Sequence, residues 1–211
     1  SGRMDFLGRV HMVVDTLDVN AERVGYLPQA RKLLLTDPAE IRYPSGGVDC
    51  VRGEWDLEAG GGWFAGDSCA VARFVDGDLE VTGDSLALSD ARGVARGRVL
   101  LTDSAGTYRL GGDAVDFERE SGGGSGQVSL KGNAFAWLNE GGAPLLVQGP
   151  SITIATDSVQ QRMLFADDGA VLHSDEVTGA AQRLEWSEKA GQVDLEGEPV
   201  LWSGADQLTG D

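Results

Sequence analysis

The sequence predicts an all-β protein built from repeated antiparallel units, and three observations carry that expectation. Apolar and polar residues alternate with a period of two in Trp55-Asp56-Leu57-Glu58, Leu79-Glu80-Val81-Thr82, Val115-Asp116-Phe117-Glu118 and Val193-Asp194-Leu195-Glu196. That period places one set of side chains on each face of a sheet. The alternating stretches recur at intervals near 32 residues, which is the mark of a repeat architecture. Glycine supplies 31 of the 211 residues, roughly twice its usual share. Its clusters at 60–62, 122–124 and 141–142 fall between the alternating stretches, where a turn often needs φ > 0.

Each repeat opens on an apolar pair at i and i+2. In chain order the pairs are Val24/Tyr26, Trp55/Leu57, Leu86/Leu88, Val115/Phe117, Ile152/Ile154 and Leu184/Trp186, spaced by 31, 31, 29, 37 and 32 residues. A second alternating strand is clear at Leu33/Leu35, Val99/Leu101, Val128/Leu130 and Val193/Leu195. Polar turn elements come next, at Thr36-Asp37, Gly66-Asp67, Thr102-Asp103, Gly132-Asn133, Asp167-Asp168 and Gly197-Glu198. A third signature closes several units: Val81-Thr82-Gly83-Asp84, Leu110-Gly111-Gly112-Asp113 and Leu208-Thr209-Gly210-Asp211. The repeats begin near residues 20, 53, 83, 112, 150 and 182 of a single expected domain, 1–211, and the array reads as cut off before a seventh copy. Residues 18–32 are the one candidate helix, and Tyr26-Leu27-Pro28 interrupts them. One face of each sheet is therefore expected to be buried and the other wet. Such units can build a sandwich or jelly roll, an elongated array or a propeller. A propeller blade needs about 40–50 residues, which these units lack. The unpaired edges of a stacked array are natural sites for strand addition.

Composition excludes several function classes. Seventeen basic against 34 acidic residues give a net charge of −17, which argues against nucleic acid, because that affinity comes from neutralising phosphates with Lys and Arg. No stretch approaches the roughly 18–20 apolar residues of a membrane helix, and Ser1-Gly2-Arg3-Met4 leads directly into patterned sequence with no leader visible. Catalytic constellations are absent. His11 and His173 sit in no metal-ligand spacing, and no Gly-x-Ser-x-Gly elbow frames a nucleophile. Gly122-Gly123-Gly124-Ser125-Gly126 lacks the Lys-Ser/Thr pair and following helix of a phosphate loop. Gly111-Gly112-Asp113 and Asp167-Asp168-Gly169 fit ordinary turn chemistry better than a calcium roll, whose period is nine residues. No catalytic residue, metal site or cofactor is expected, and the chain is read as not an enzyme.

These residues resemble the OstA-like β-jelly-roll family, which comprises the lipopolysaccharide transport proteins LptA and LptC and the N-terminal part of LptD. The closest likeness is Arg183-Leu184-Glu185-Trp186, then Gly191-Gln192-Val193-Asp194-Leu195-Glu196-Gly197-Glu198-Pro199-Val200-Leu201, then Leu208-Thr209-Gly210-Asp211. The opening unit is similar, with Asn20-Ala21-Glu22-Arg23-Val24-Gly25-Tyr26 leading into Leu33-Leu34-Leu35-Thr36-Asp37-Pro38. The resemblance implies a V-shaped β-jelly roll of two twisted sheets, with an apolar groove that shields lipid acyl chains. It also implies a place in the periplasm, in lipopolysaccharide transport and outer-membrane biogenesis, with edge-strand pairing to other OstA-like domains or to a second copy. The inward, lipid-binding positions it points to are Val24, Tyr26, Leu33, Leu35, Trp55, Leu57, Leu86, Leu88, Val115, Phe117, Val128, Leu130, Ile152, Ile154, Leu184, Trp186, Val193 and Leu195. The competing expectation is a structural or adhesive β-repeat protein with a solid core and no lipid ligand. The chain departs from the family in its acidity and in the long interval from Val115 to Ile152.

Two cysteines, Cys50 and Cys69, are too few for a disulfide scaffold. Were residues 50–69 one hairpin, its centre would fall at Ala59-Gly60 and the two would face each other across it. The spacing is compatible with a disulfide in an oxidising envelope and equally with two free thiols, since a bulge at Gly66 would shift the register.

Overall fold

The computed structural model describes residues 2–118, 126–139, 144–157 and 161–210. The described residues hold no helix, and their strands pair antiparallel throughout, as the sequence predicts. The helix candidate at 18–32 is a hairpin of two strands. The glycine clusters at 122–124 and 141–142, and Asp211, lie outside the described residues. The chain divides into two compact units, residues 1–104 and 105–211.

The first unit holds β1 (Met4–Val14), β2 (Leu17–Leu27), β3 (Lys32–Tyr43), β4 (Gly46–Asp56), β5 (Gly61–Ala65), β6 (Ala72–Asp76), β7 (Leu79–Gly83), β8 (Ser85–Leu88) and β9 (Arg92–Asp103). Its long strands each serve two layers. Residues 52–56 of β4 pair with β5, while 46–49 of the same strand pair with β6. Likewise 93–96 of β9 pair with β8, and 100–103 pair with β7. The first layer runs through residues 4–7, 23–27, 32–36 and 52–56, then β5, β8 and 93–96. The second runs through 10–14, 17–21, 39–43 and 46–50, then β6, β7 and 100–103. Tyr43 of the second layer meets Trp55 of the first, ring centroids 5.9 Å apart, so the layers pack face to face.

The second unit repeats the plan with β10 (Tyr108–Glu118), β11 (Gly126–Leu138), β12 (Leu145–Thr156), β13 (Arg162–Asp167), β14 (Ala170–His173), β15 (Thr178–Ala181), β16 (Arg183–Ser187), β17 (Gln192–Glu196), β18 (Val200–Ser203) and β19 (Asp206–Thr209). Its first layer contains 114–117, 126–131, 151–156, β13, β16 and β17; its second contains 108–111, 134–138, 145–149, β14, β15, β18 and β19.

Two kinds of corner carry the chain between layers. Crossings from the first layer to the second, apart from the loop 66–71 between β5 and β6, use a residue pair with positive φ: Gly8-Arg9, Gly97-Arg98, Gly132-Asn133, Asp168-Gly169 and Gly197-Glu198, or Asp37 followed by Pro38. These keep the alternation in phase, so that Leu33 and Leu35 point inward before the corner of β3 and Ala39 and Ile41 after it. Crossings in the other direction are single-residue bulges that reverse the phase. In β2 the inward residues are Leu17, Val19 and Ala21 before the bulge, but Val24 and Tyr26 after it. A bulge that sets two residues against one has this effect because the side-chain period is two. The polar turn elements of the repeat are thus corners, with one exception. Thr102-Asp103 ends β9, whose corner is at Gly97-Arg98, so Val99/Leu101 belongs to the second layer and not beside the first-layer pairs.

Hydrogen bonds stitch successive corners together in both units. The Gly66 amide donates to the Asp84 carbonyl at 3.0 Å and the Asp84 amide to the Gly97 carbonyl at 2.8 Å. In the second unit, the Gly169 amide donates to Gln182 at 3.0 Å and the Gln182 amide to Gly197 at 3.1 Å. The side chain at each middle position closes over the next left-handed glycine. The Asp113 carboxylate lies against Gly132 Cα and accepts from Asn133 Nδ2 at 3.0 Å, and Asp84 does the same for Gly97 while pairing with Arg98. A Cβ at Gly132 would collide with that carboxylate, whereas at Gly106, with the same φ of +67°, nothing lies within 4 Å. Gly106→Ala is therefore expected to cost about 1 kcal/mol and Gly132→Ala about 2–3 kcal/mol in urea denaturation. Adding Asp113→Ala to Gly132→Ala should recover part of the difference; equal losses in the two glycine variants would contradict the carboxylate constraint.

Candidate functional site

The inward side chains form cross-strand rows. In the first layer of the first unit one row is Phe6, Val24, Leu35, Gly53, Phe64, Leu86 and Ala95, and the next is Met4, Tyr26, Leu33, Trp55, Gly62, Leu88 and Gly93. Large and small residues alternate along them, as close packing requires. Phe64 lies over the bare Cα of Gly53, and its ring meets Trp55 at 5.7 Å. In the second unit the first-layer rows are Val115, Leu130, Ile152, Ala166, Leu184, Leu195 and Phe117, Val128, Ile154, Leu164, Trp186, Val193.

Of the inward positions expected from the sequence, all but Leu57 stand in these rows. Leu57 lies beyond the end of β4, half-buried in the turn, where its amide donates to the Arg31 carbonyl at 2.9 Å. Val24, Leu33, Leu35, Trp55, Leu86, Leu88, Val115, Phe117, Leu130, Ile152, Ile154 and Leu184 are buried, and Tyr26, Val128, Trp186, Val193 and Leu195 are half-buried. The facing layer was missed. In the first unit it presents Val19, Ile41, Val48, Phe74, Val81 and Leu101 in one row. In the second it presents Leu110, Ala136, Val147, Leu172 and Gly179. The signal existed in Val19-x-Ala21 and Val48-x-Cys50, but the reversed phase beyond each bulge concealed it.

The interior is lined mainly by apolar side chains, and no polar or charged residue is buried as a whole among the described residues. At one end of the second unit the Arg162 guanidinium reaches inward, its Nη1 buried and its Cζ 5.3 Å from the Tyr108 ring of the facing layer. The interior is closed at mid-row and opens towards the outermost strands. The inward residues of β1, Phe6 and Met4, are 38% and 49% exposed, and Leu208 of β19, in register with Leu201, is 70% exposed. In the second unit the layers touch where Gly179 approaches Leu195 Cδ1, within 3.3 Å of a Cβ placed there.

No protein-family model matches the sequence, and no curated protein matches it. Among solved structures the chain is similar to LptH, the LptA-homologous periplasmic component of the conserved lipopolysaccharide transport device from Pseudomonas aeruginosa. The two share 21% identity over 56% of this chain and 82% of that one, with a TM-score of 0.47.

The cysteines are both free, Cys50 buried and Cys69 exposed. The hairpin between β4 and β5 sets Arg52 opposite Ala65, which would bring residue 67 opposite Cys50 were the ladder to continue. It does not: the chain leaves the first layer at Gly66, where Asp67 turns it by accepting hydrogen bonds from the Cys69 and Ala70 amides at 2.7 and 2.8 Å. Cys50 sits in the second layer opposite Ala39, on the wall of a corner cleft of about 580 Å³. Burial, with Asp49 adding a smaller effect, pushes its thiol up to about 12. One thiol, Cys69, should therefore react with a disulfide reagent at pH 8 in native protein and two after unfolding without reductant; no thiol after unfolding would restore the disulfide.

The outer faces carry the ionisable groups. Arg73 pairs with Glu80 at 2.8 Å and with Asp49 at 3.3 Å, and Lys32 with Glu54 at 2.6 Å. Hydrogen bonds from Arg73 hold the Glu80 carboxyl below its ordinary range, amides of Cys69 and Ala70 do so for Asp67, and amides of Ala59 and Glu58 with Lys32 for Asp56. A carboxyl with a depressed folded pKa stabilises the fold above its unfolded value, and that stabilisation is lost as pH falls through the folded value. The urea midpoint should thus hold steady above about pH 4.5 and fall below about pH 4. Asp67→Asn should flatten part of that fall; an unchanged acid limb would remove Asp67 from the account.

Proposed function

We propose that this chain is a non-enzymatic protein of the periplasm or cell envelope that binds lipopolysaccharide or a related lipid in its apolar interior. Its edge strands would pair with other β-jelly-roll domains, or with a second copy, to bridge membranes in lipopolysaccharide transport. The observation that carries the proposal is the uncapped end of each largely apolar interior. Phe6 and Met4 in one unit and Leu208 in the other are inward-row residues left open at an outermost strand. An acyl chain entering there meets rows of apolar side chains, and each methylene withdrawn from water contributes about 0.8 kcal/mol, or about 8 kcal/mol for roughly ten. Repulsion between the acidic exterior and a phosphorylated headgroup is screened over about 8 Å at physiological salt. The exposed backbone edge of β1, with Leu7 and Val13 outward, suits strand addition.

A second reading, a solid structural or adhesive core, draws support from the contacts that fill mid-row: Tyr43 against Trp55 and Gly179 against Leu195. Photocrosslinking separates the two. A photoreactive residue at Phe6, Val115 or Leu184 is expected to give lipopolysaccharide adducts, and one at the outward neighbours Asp5, Asp116 or Glu185 is expected to give none. No lipopolysaccharide or phospholipid adduct from any inward position would leave the solid core as the working description.

A further inference from the structure

The outer face of the first layer in the first unit carries an arrangement that the interior does not explain. Following the register from strand to strand, one outward row reads Arg23, Thr36, Arg52, Ala65, Ser85, Arg96. Three arginines thus stand in line, all exposed, separated by small or neutral side chains. At the usual strand spacing of about 4.8 Å, Arg23 and Arg52 lie about 10 Å apart and Arg52 and Arg96 about 14 Å apart.

Arginines without a carboxylate partner are unusual in a chain of net charge −17, and the nearest acid along β4, Glu54, is taken by Lys32 at 2.6 Å. Elsewhere in this unit Arg3, Arg31, Arg42, Arg73 and Arg98 each pair with a carboxylate, while Arg9, at the corner of β1, does not among the described residues. Arg23, Arg52 and Arg96 make no ion pair among the described residues. The corresponding outward row of the second unit contains Lys131, Ser151, Asp167, Arg183 and Glu196, and there Arg183 is neutralised by Asp167 at 3.6 Å and Glu196 at 3.7 Å. The arginine row is therefore a local property of one face.

The same face is also apolar. The next outward row runs Leu34, Glu54, Trp63, with Trp63 47% exposed and Glu54 neutralised by Lys32, and the arginine row itself extends onto β1 at Leu7, 68% exposed. Unpaired arginines beside an exposed tryptophan and leucine make a surface with the two requirements of a lipid–water interface. Guanidinium groups bind phosphates in a planar, bidentate manner, and an indole sits at headgroup level with its ring in the acyl boundary.

We propose that this face docks reversibly on the anionic headgroups of a phospholipid bilayer, through Arg23, Arg52 and Arg96 with Trp63 as the interfacial anchor. The surface is on the opposite side of the layer from the apolar interior, so its occupancy is independent of any lipid held inside.

Vesicle flotation with the full chain tests this. Wild-type protein is expected to float with vesicles that are about one third phosphatidylglycerol in phosphatidylcholine, to stay behind with phosphatidylcholine alone, and to dissociate as salt rises. Each of Arg23→Gln, Arg52→Gln and Arg96→Gln should weaken partitioning roughly fivefold, and the triple variant about a hundredfold. Trp63→Ser should weaken binding to the anionic vesicles without altering its salt slope. Arg42→Gln, on the facing layer's outer surface and already paired, should bind as wild type. The single variants sit on separate exposed strands, so a folding defect in the triple leaves three readouts intact. Failure of the wild type to float, or equal flotation of wild type and the single variants, would overturn the proposal. So would a dimer in sedimentation equilibrium that the triple variant abolishes while the wild type ignores vesicles, which would give the face to a second copy.

Discussion

Everything in this protein depends on how the backbone turns a corner without losing its pairing. A strand of eleven or twelve residues, such as β3 or β9, is too long to stay in one twisted layer of such a small unit. It bends instead, and the bend must satisfy ladders on both sides. The left-handed pairs Gly97-Arg98 and Gly132-Asn133 do so by spending two residues, with a carboxylate from the preceding corner, Asp84 or Asp113, seated on the glycine. The return crossings spend one. The alternation of two-residue and one-residue corners keeps the apolar side chains facing one interior through every passage, and so sets the length of the repeat. Charge, loop length and the glycine-rich composition are subordinate to that geometry.

The same alternation explains what could be read from the sequence. The apolar pairs that open each repeat were visible because every one follows a phase-reversing bulge and begins a fresh register in the first layer. Val115/Phe117, Ile152/Ile154 and Leu184/Trp186 fall in two unbroken rows as a result. The facing layer was hidden. Along β2 a reader who finds Val24 and Tyr26 and continues the period backwards reaches Glu22 and Asn20, not Val19 and Ala21, and so assigns the strand's other half to solvent. Val99/Leu101 has the alternation of Leu33/Leu35 yet lies in the other layer for the complementary reason: Gly97-Arg98 preserves phase, so nothing in the alternation betrays the crossing. Cys50 and Cys69 failed as a hairpin pair because the ladder they needed stops at Gly66. Leu57 satisfied the period, but its strand had already ended.

The two faces of each layer follow different rules. Inside, the rows are lined by apolar side chains, so shape decides most of what fits, with the Arg162 guanidinium a polar intruder at one end of the second unit. Gly53 under Phe64 and Gly179 against Leu195 show how far that fitting has gone at mid-row, whereas Phe6, Met4 and Leu208 show where it is unfinished. Outside, the second layer of the first unit locks its arginines in a lattice of carboxylates around Asp49, and the first layer leaves three of them unmatched. A strongly acidic protein that keeps such a row has placed its cations by position and not by abundance.

The phase-reversing bulges have a consequence for how such a chain can change over time. In an ordinary long strand, one inserted residue turns every later side chain inside out, and the error runs to the next loop. Here each passage ends at a corner where a residue can be gained or lost at the bulge itself, so a slip in one half-strand can be absorbed before the next begins. The molecule behaves like a text with frequent punctuation: a misprint spoils a clause and leaves the paragraph legible.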